Sequence, residues 1–425
     1  MMGRGVRQLV STDRDSSASA QTAPIVDLEP ARRLRIACVY RNFNDLGSIH
    51  SLFKRDAERL TRDADVQAVC MSRKRAETSA PISFVTVDPS FSGSDRVRYA
   101  VECASFARRA DAAVRALRGS VDVVFSEGFA TTEADLVRVH AVRLAETEHY
   151  FQQVEPTAML RWVRTNIAGP QIAVVRAIER RLFAKCPLCV VPTRRLASQL
   201  VDWHGVHPDL VTVVPYGLDT TRFSPDPRER ARLRDELGVP PDRLVAVLVG
   251  SGFARKGVER AVRGLAASGI VDAELWVVGA DENLSRFERI ARECGVRDRV
   301  RFVGARSSSE LPGWYAAADV FILPSQQDTA PMTVTEALAT GLPAIVSEHA
   351  GSSDVVQNGV NGFCIAGSGR PEEIARRLEE LADGTVRQRF SARSRMSVMH
   401  LDYEVVYPRL YELVCAAARR RAGVG

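Results

Sequence analysis

Twice along this chain a short aliphatic run, suited to burial on both faces, is followed by an amphipathic helix and then by another such run. That alternation constrains the fold more than any other feature. Strands buried on both faces read as continuous Val/Ile/Leu runs, and strands alternating with helices pair in parallel beneath a helical cover. In the first half the runs lie at 34–40, 66–71, 82–87, 121–125, 188–192 and 211–217, with helical patterns at 48–62, 97–117 and 194–203. In the second half they lie at 244–249, 274–278, 300–303, 320–323 and 344–347, with helices at 257–267, 284–294, 310–317 and 333–339. The stretch 134–181 reads as helical, broken at Pro156 and Gly169-Pro170, and 385–421 reads as helical too. The fold expected is α/β: two doubly wound, Rossmann-like domains facing each other across a cleft. Such sheets bind ligands beyond the carboxyl ends of their strands. The expected divisions are a disordered tail at 1–30 and domains at 31–225 and 226–385. A helical segment at 386–425 is expected to pack back on the first domain.

Charge and cysteine usage narrow the partners. The chain of 425 residues carries 58 Lys and Arg against 52 Asp and Glu, a net charge of +6. The excess is spread along the whole chain, so it points only weakly to an anionic partner, and no nucleic acid is expected. The eight cysteines sit mostly inside apolar runs and show no disulfide framework, which reads as a reducing compartment. Cys186 and Cys189 form a CxxC, but no second ligand pair accompanies them as zinc would need. No uninterrupted apolar stretch reaches the length of a membrane span, and the first 30 residues lack a signal-peptide core. A cytoplasmic protein is expected. Arg176, Arg180, Arg181, Lys185 and Arg419 to Arg421 suggest peripheral contact with an anionic inner membrane face; a solvated basic face has the same composition.

Four motifs carry chemistry. The first runs from Gly250 through Gly252, Phe253, Arg255 and Lys256 to Gly257, after a strand and before a helix. Glycines admit an anion close to backbone N–H groups, a helix start adds a positive dipole end, and the two cations can neutralise a diphosphate. It is not a Walker A loop, since no Gly-Lys-Ser/Thr follows. The second follows the run at 320–323: Asp328, Thr329, Ala330, Pro331, Met332, Thr333 and Glu336. Pro331 suits a helix opening, Met332 and Thr333 then offer free amides, and a carboxylate at Glu336 suits a vicinal diol. The third is the loop 42–48, where Gly47 precedes Ser48, itself a plausible helix N-cap. The fourth is His140 in the run 137–141, for which a surface or core histidine is the alternative.

The second motif resembles the signature of the retaining, two-domain (GT-B) glycosyltransferases of family 4, and the first loop looks most like their lipopolysaccharide-core glucosyltransferase branch. Residues 300–306, ending at Arg306, resemble the family's base-binding turn. The segments 316–320 and 358–363 resemble it as well. The likeness is strong over 245–366, fainter over 36–59 and 175–225, and poor between. It implies a hexose moved from a nucleotide-diphosphate sugar to a glycan, glycolipid or small-molecule acceptor in cell-envelope polysaccharide synthesis, with no cofactor and no metal. It implies Arg255 and Lys256 on the donor diphosphate, 329–333 around sugar and phosphate, Glu336 on the ribose, Gly47 and Ser48 in the place of a Gly-Gly loop, and His140 near the reaction centre. Gly252, Phe253 and Arg306 complete the expected donor site. Asp328 stands where the family has its first glutamate, one methylene shorter, so its donor preference is expected to differ. The expected catalytic set is Asp328, Lys256, Arg255 and His140, with no assigned general base. The competing readings are a non-catalytic, sugar-nucleotide-binding partner subunit, motivated by Asp328 and Ser48, and a GT-B epimerase or phosphorylase.

Overall fold

The computed structural model describes residues 32–44, 48–89, 96–142, 169–367 and 369–423. The tail at 1–30 and Gly47 lie outside them. The first sheet comprises β1 (Leu34–Val39), β2 (Ala64–Cys70), β3 (Ile82–Thr86), β4 (Val123–Glu127), β5 (Leu136–Arg138), β6 (Leu188–Val191) and β7 (Val211–Val213). Its order is β3-β2-β1-β4-β5-β6-β7, with every pairing parallel. The second comprises β8 (Val245–Val249), β9 (Glu274–Val278), β10 (Val300–Gly304), β11 (Val320–Leu323), β12 (Ala344–Ser347) and β13 (Gly362–Ile365). Its order is β10-β9-β8-β11-β12-β13, again parallel throughout. β8, β9, β11 and β12 are buried along their whole length, as continuous aliphatic runs demand.

In each sheet the order reverses once, between β1 and β4 and between β8 and β11. Helices leave opposite faces on either side of such a reversal, and the crevice beyond the strand ends there is where doubly wound sheets bind ligands. The loop holding Arg255 and Lys256 leaves β8, and the loop holding Asp328 leaves β11. Both chemistry-bearing motifs of the second half therefore meet at one switch point.

Two strands escape the sequence reading. β5 falls inside the stretch read as helical, and β13 continues the second sheet. β5 is three residues long, too short to show a period against its helical surroundings. The helix Gly169–Phe183 is present, while 143–168 lie outside the described residues. The return of the chain to the first sheet comes later than 386. Phe390 and Val398 of the helix Gly384–Val398 still belong to the second core. Only the helix Tyr403–Arg421 joins the first, where Tyr407, Leu410 and Val414 pack with Ile36, Cys38 and Phe125. The turn at 399–402 separates them because its backbone is engaged elsewhere: Leu218 and Tyr403 exchange hydrogen bonds with Leu401 and Leu218 across the two connecting segments, at 2.8 Å each.

All eight cysteines are unbridged. Cys186 is exposed while Cys189 is buried in β6, and burial pushes the Cys189 thiol up to about 12. That is the behaviour of a structural cysteine rather than a redox pair. Lys185 of the basic set pairs with Glu133 at 2.8 Å, whereas Arg180 and Arg181 are exposed. Among the described residues no helix is long and apolar enough to cross a membrane.

Candidate active site

Lys256 sets the geometry of the site. Its side chain is nearly buried, and its Nζ donates to Asp328 Oδ2 at 2.5 Å. Arg255 reaches the same oxygen at 3.1 Å and also donates to the Gln327 carbonyl, with about half of its side chain exposed. Two cations thus face one carboxylate, which leaves a positive surplus at the end of β8 and β11. Backbone shape makes this possible. Gly250 has φ 148°, and a Cβ there would stand 2.7 Å from Lys256 Cε, so only glycine leaves the lysine its channel. Gly257 has φ 78°, and a Cβ would overlap the Pro324 carbonyl at the end of β11. This close approach brings the two loops together, sealed by the Gln326 amide on the Arg255 carbonyl at 2.9 Å.

The expected anion seat at the first loop needs correction. Gly252 does precede a helical turn, but that turn, Phe253–Lys256, is four residues long. Its leading amide, on Phe253, is taken by Asp281 Oδ2 at 2.6 Å. A carboxylate of the chain itself already occupies that helix start. The Phe253 ring is no ligand contact either: it is buried among Phe287 and Phe302, an aromatic core contact. The loop contributes through its two cations.

The second loop starts its helix without a side-chain cap. Pro331 caps Met332–Ala339 without a side-chain hydrogen bond. Thr333 Oγ1 is buried there with no hydrogen-bond partner. A buried hydroxyl without a partner is costly, and a phosphate oxygen at this helix start would satisfy it. Thr329 and Ala330 lead into this turn, and Asp328 is fixed on both sides, its N–H on the His349 carbonyl and its C=O taking the Gly351 amide.

Glu336 stands one turn further on, 8 % exposed, with Oε2 accepting from the Tyr315 hydroxyl at 2.9 Å. Burial raises its pKa above the ordinary range, while the Tyr315 bond and the charges of Arg222, Arg55 and Lys256 oppose the rise. Only the carboxylate accepts two hydroxyl bonds from a diol. Affinity for a ligand that presents a diol to Glu336 is therefore expected to fall as pH drops towards this raised pKa, and Glu336→Gln to bind it more weakly with a flattened profile, read by titration calorimetry. The ligand-free protein behaves oppositely. A folded pKa above the unfolded value makes ionisation unfavourable in the fold, so this group's stabilisation is complete below the unfolded pKa and is lost as pH rises through the folded one.

The remaining predicted residues fall into place differently. Arg306 lies past the edge strand β10, donating to the Val303 carbonyl at 3.1 Å and lying over the Trp314 ring; it does not touch the Arg255–Asp328 group. His140 follows β5 on the first half, with both ring nitrogens engaged: Nε2 with Glu127 at 2.7 Å and Nδ1 with the Tyr216 hydroxyl at 2.7 Å. It is not an open base. Sequence reasoning missed Tyr315, Asp281, Glu127 and Tyr216. Tyr216, next to last in the run read at 211–217, carried the one available signal, a polar aromatic just past a strand end. A cleft of about 700 Å³ is lined by Pro192 and Tyr216 from the first half and by Ala330, Met332, Thr335 and Gly351 from the second. Among the described residues no group of three His, Cys, Asp or Glu side chains is placed to hold a metal ion.

Two parallel Rossmann-like sheets with a cationic switch-point site beside an inter-half cleft define the GT-B class. The family models agree. "Glycosyltransferase Family 4" matches residues 56–222, and "Glycosyl transferases group 1" matches 229–396. The chain belongs to the GT-B glycosyltransferases of the family 4 type. It is 29 % identical over 289 residues to a D-inositol 3-phosphate glycosyltransferase of Xylanimonas cellulosilytica, covering 66 % of this chain and 68 % of that one. It is 34 % identical over 211 residues to a GDP-mannose-dependent alpha-(1-6)-phosphatidylinositol monomannoside mannosyltransferase of Mycobacterium tuberculosis, covering 48 % and 54 %. The chain therefore spans about half to two thirds of the length of these relatives. Its fold is that of WaaG, a glycosyltransferase involved in lipopolysaccharide biosynthesis, with TM-score 0.72, 22 % identity, and coverage of 90 % and 99 %.

Proposed function

We propose that the chain transfers a hexose from a nucleotide-diphosphate sugar to a hydroxyl of a glycan, glycolipid or small-molecule acceptor, retaining anomeric configuration. The observation that carries this is the convergence of Lys256 and Arg255 on Asp328, in the loop that leads to the start of Met332–Ala339, where Thr333 Oγ1 is buried without a partner. As the sugar departs, charge grows on the diphosphate. We assign the stabilisation of that charge to Lys256, Arg255 and the start of Met332–Ala339 rather than to a metal. Asp328 Oδ2 takes both cations, which leaves its other oxygen for a sugar hydroxyl; Glu336 takes the ribose diol. The curated relatives support a nucleotide-sugar donor, one of them being GDP-mannose-dependent by name.

The test is a thermal-shift screen of UDP-, GDP- and ADP-sugars on the purified chain. Product analysis by NMR follows with any sugar that binds. A shift with one donor, and transfer or slow hydrolysis giving the donor's own anomeric configuration, is the expected result. No shift with any nucleotide sugar sinks the reading. Binding without turnover by the chain alone favours a non-catalytic partner subunit, and an inverted product overturns retention.

A further inference from the structure

A buried ionic chain runs through the first half and surfaces at one point in the cleft. Asp56 sits on the helix Ser48–Leu60 and Arg138 on β5, joined at 2.5 Å. Arg138 also pairs with Glu127 at the end of β4, at 3.1 Å. Asp56, Glu127 and Arg138 are all at most 5 % exposed. Glu127 then meets His140 Nε2, and His140 Nδ1 meets the Tyr216 hydroxyl, both at 2.7 Å. Tyr216 lines the cleft opposite Ala330 and Met332, and its phenol senses the Asp328 carboxylate.

Proton positions follow from the order of partners. Arg138 donates to Asp56 and sets its positive charge beside Glu127, and a carboxylate facing that charge accepts, so the His140 nitrogen facing Glu127 carries the hydrogen. Taking the imidazole as neutral, its other nitrogen is bare and accepts from the Tyr216 hydroxyl. Burial holds the Tyr216 phenol well above its usual range, so it keeps that proton to give. With its hydrogen turned inward, the Tyr216 oxygen offers only lone pairs to the cleft. Thr193, Thr335, Asp354 and His400 also line this cleft, and Tyr216 joins them there as a phenol that is tied to His140 and senses the Asp328 carboxylate. A fixed acceptor in a cleft between two sheets recognises a hydroxyl that has a hydrogen to donate.

We propose that Tyr216 binds the hydroxyl of the acceptor that attacks the donor sugar, and that His140, held by Glu127, is the positioning residue that aims the Tyr216 lone pairs at it. This rests on the transferase reading above. It gives His140 a role that needs no free ring nitrogen.

The experiment compares wild type, Tyr216→Phe, His140→Leu and His140→Asn. Each is assayed with the nucleotide sugar found in the screen, and with D-inositol 3-phosphate and simple methyl glycosides as probe acceptors. Tyr216→Phe keeps the ring and loses only the oxygen. Its acceptor KM is expected to rise about tenfold, the worth of one hydrogen bond, while donor Kd and melting temperature stay at wild-type values. His140→Leu should match it. His140→Asn, whose amide can still meet the Tyr216 hydroxyl, should recover part of the loss. The Tyr216→Phe/His140→Leu double variant should be no worse than either single one, since both remove the same contact. Wild-type acceptor KM and kcat in Tyr216→Phe, or fully additive losses in the double variant, overturn the proposal while leaving the transferase reading intact. A wild-type protein that binds donor yet glycosylates no probe and hydrolyses no donor overturns the transferase reading, and this proposal with it.

Discussion

Lys256→Ala should reduce turnover by about 10²- to 10³-fold with little change in melting temperature, the scale seen when one preorganised donor to a developing anion is lost. The reasoning is geometric. Lys256 is the cation of the pair that is nearly buried, and its channel past Gly250 holds it in place before any ligand arrives. An ion kept in place in a partly desolvated site contributes more to an anionic transition state than one that must be ordered during reaction. Arg255 is half exposed, so Arg255→Ala should cost clearly less. Stability is spared because Asp328 keeps Arg255 as a partner. Single-turnover measurements with saturating donor separate chemistry from binding. A Lys256→Ala protein with wild-type turnover would falsify the assignment of diphosphate stabilisation to this residue.

Arg138→Met is expected to destabilise the first half by about 3–5 kcal/mol, because it leaves Asp56 and Glu127 as buried carboxylates without their counter-charge. Their remaining partners, the Tyr403 hydroxyl on Asp56 at 2.6 Å and His140 on Glu127, supply hydrogen bonds but no fixed positive charge. Replacing all three residues together, as Asp56→Asn, Glu127→Gln and Arg138→Met, should recover part of the loss by removing the stranded charges. Chemical denaturation of the three proteins reads the difference. A single Arg138→Met protein as stable as wild type would mean that water reaches these carboxylates.

The fold was legible where each strand was long enough to show itself. β8, β9 and β11 are unbroken aliphatic runs and their helices carry clear faces, so the second half as far as β12 could be laid out from sequence with ends off by a residue or two. β5 was lost because three residues have no period. The second half of the site was legible for a similar reason: Lys256, Asp328, Pro331 and Glu336 are spaced along short loops that leave adjacent strands. What sequence could not supply were partners distant in the chain. Nothing in the loop at 250–257 announces that Asp281 takes the Phe253 amide, 28 residues on. Nor does the apolar surrounding of Phe253 distinguish a core ring from a ligand contact. The chain from Asp56 to Tyr216 draws on a helix, two strand ends and two post-strand loops, and no local pattern connects them.

The helix Tyr403–Arg421 has a consequence for how the protein is made. It fills the core over β1, β2 and β4, yet it leaves the ribosome after every residue of the second half. Domains tend to fold as units in order of synthesis, and here that order is broken. The first sheet emerges first but stays uncapped, with Ile36, Cys38 and Phe125 lacking the cover of Tyr407, Leu410 and Val414 until translation has passed residue 414. The half synthesised second can close its core before the half synthesised first.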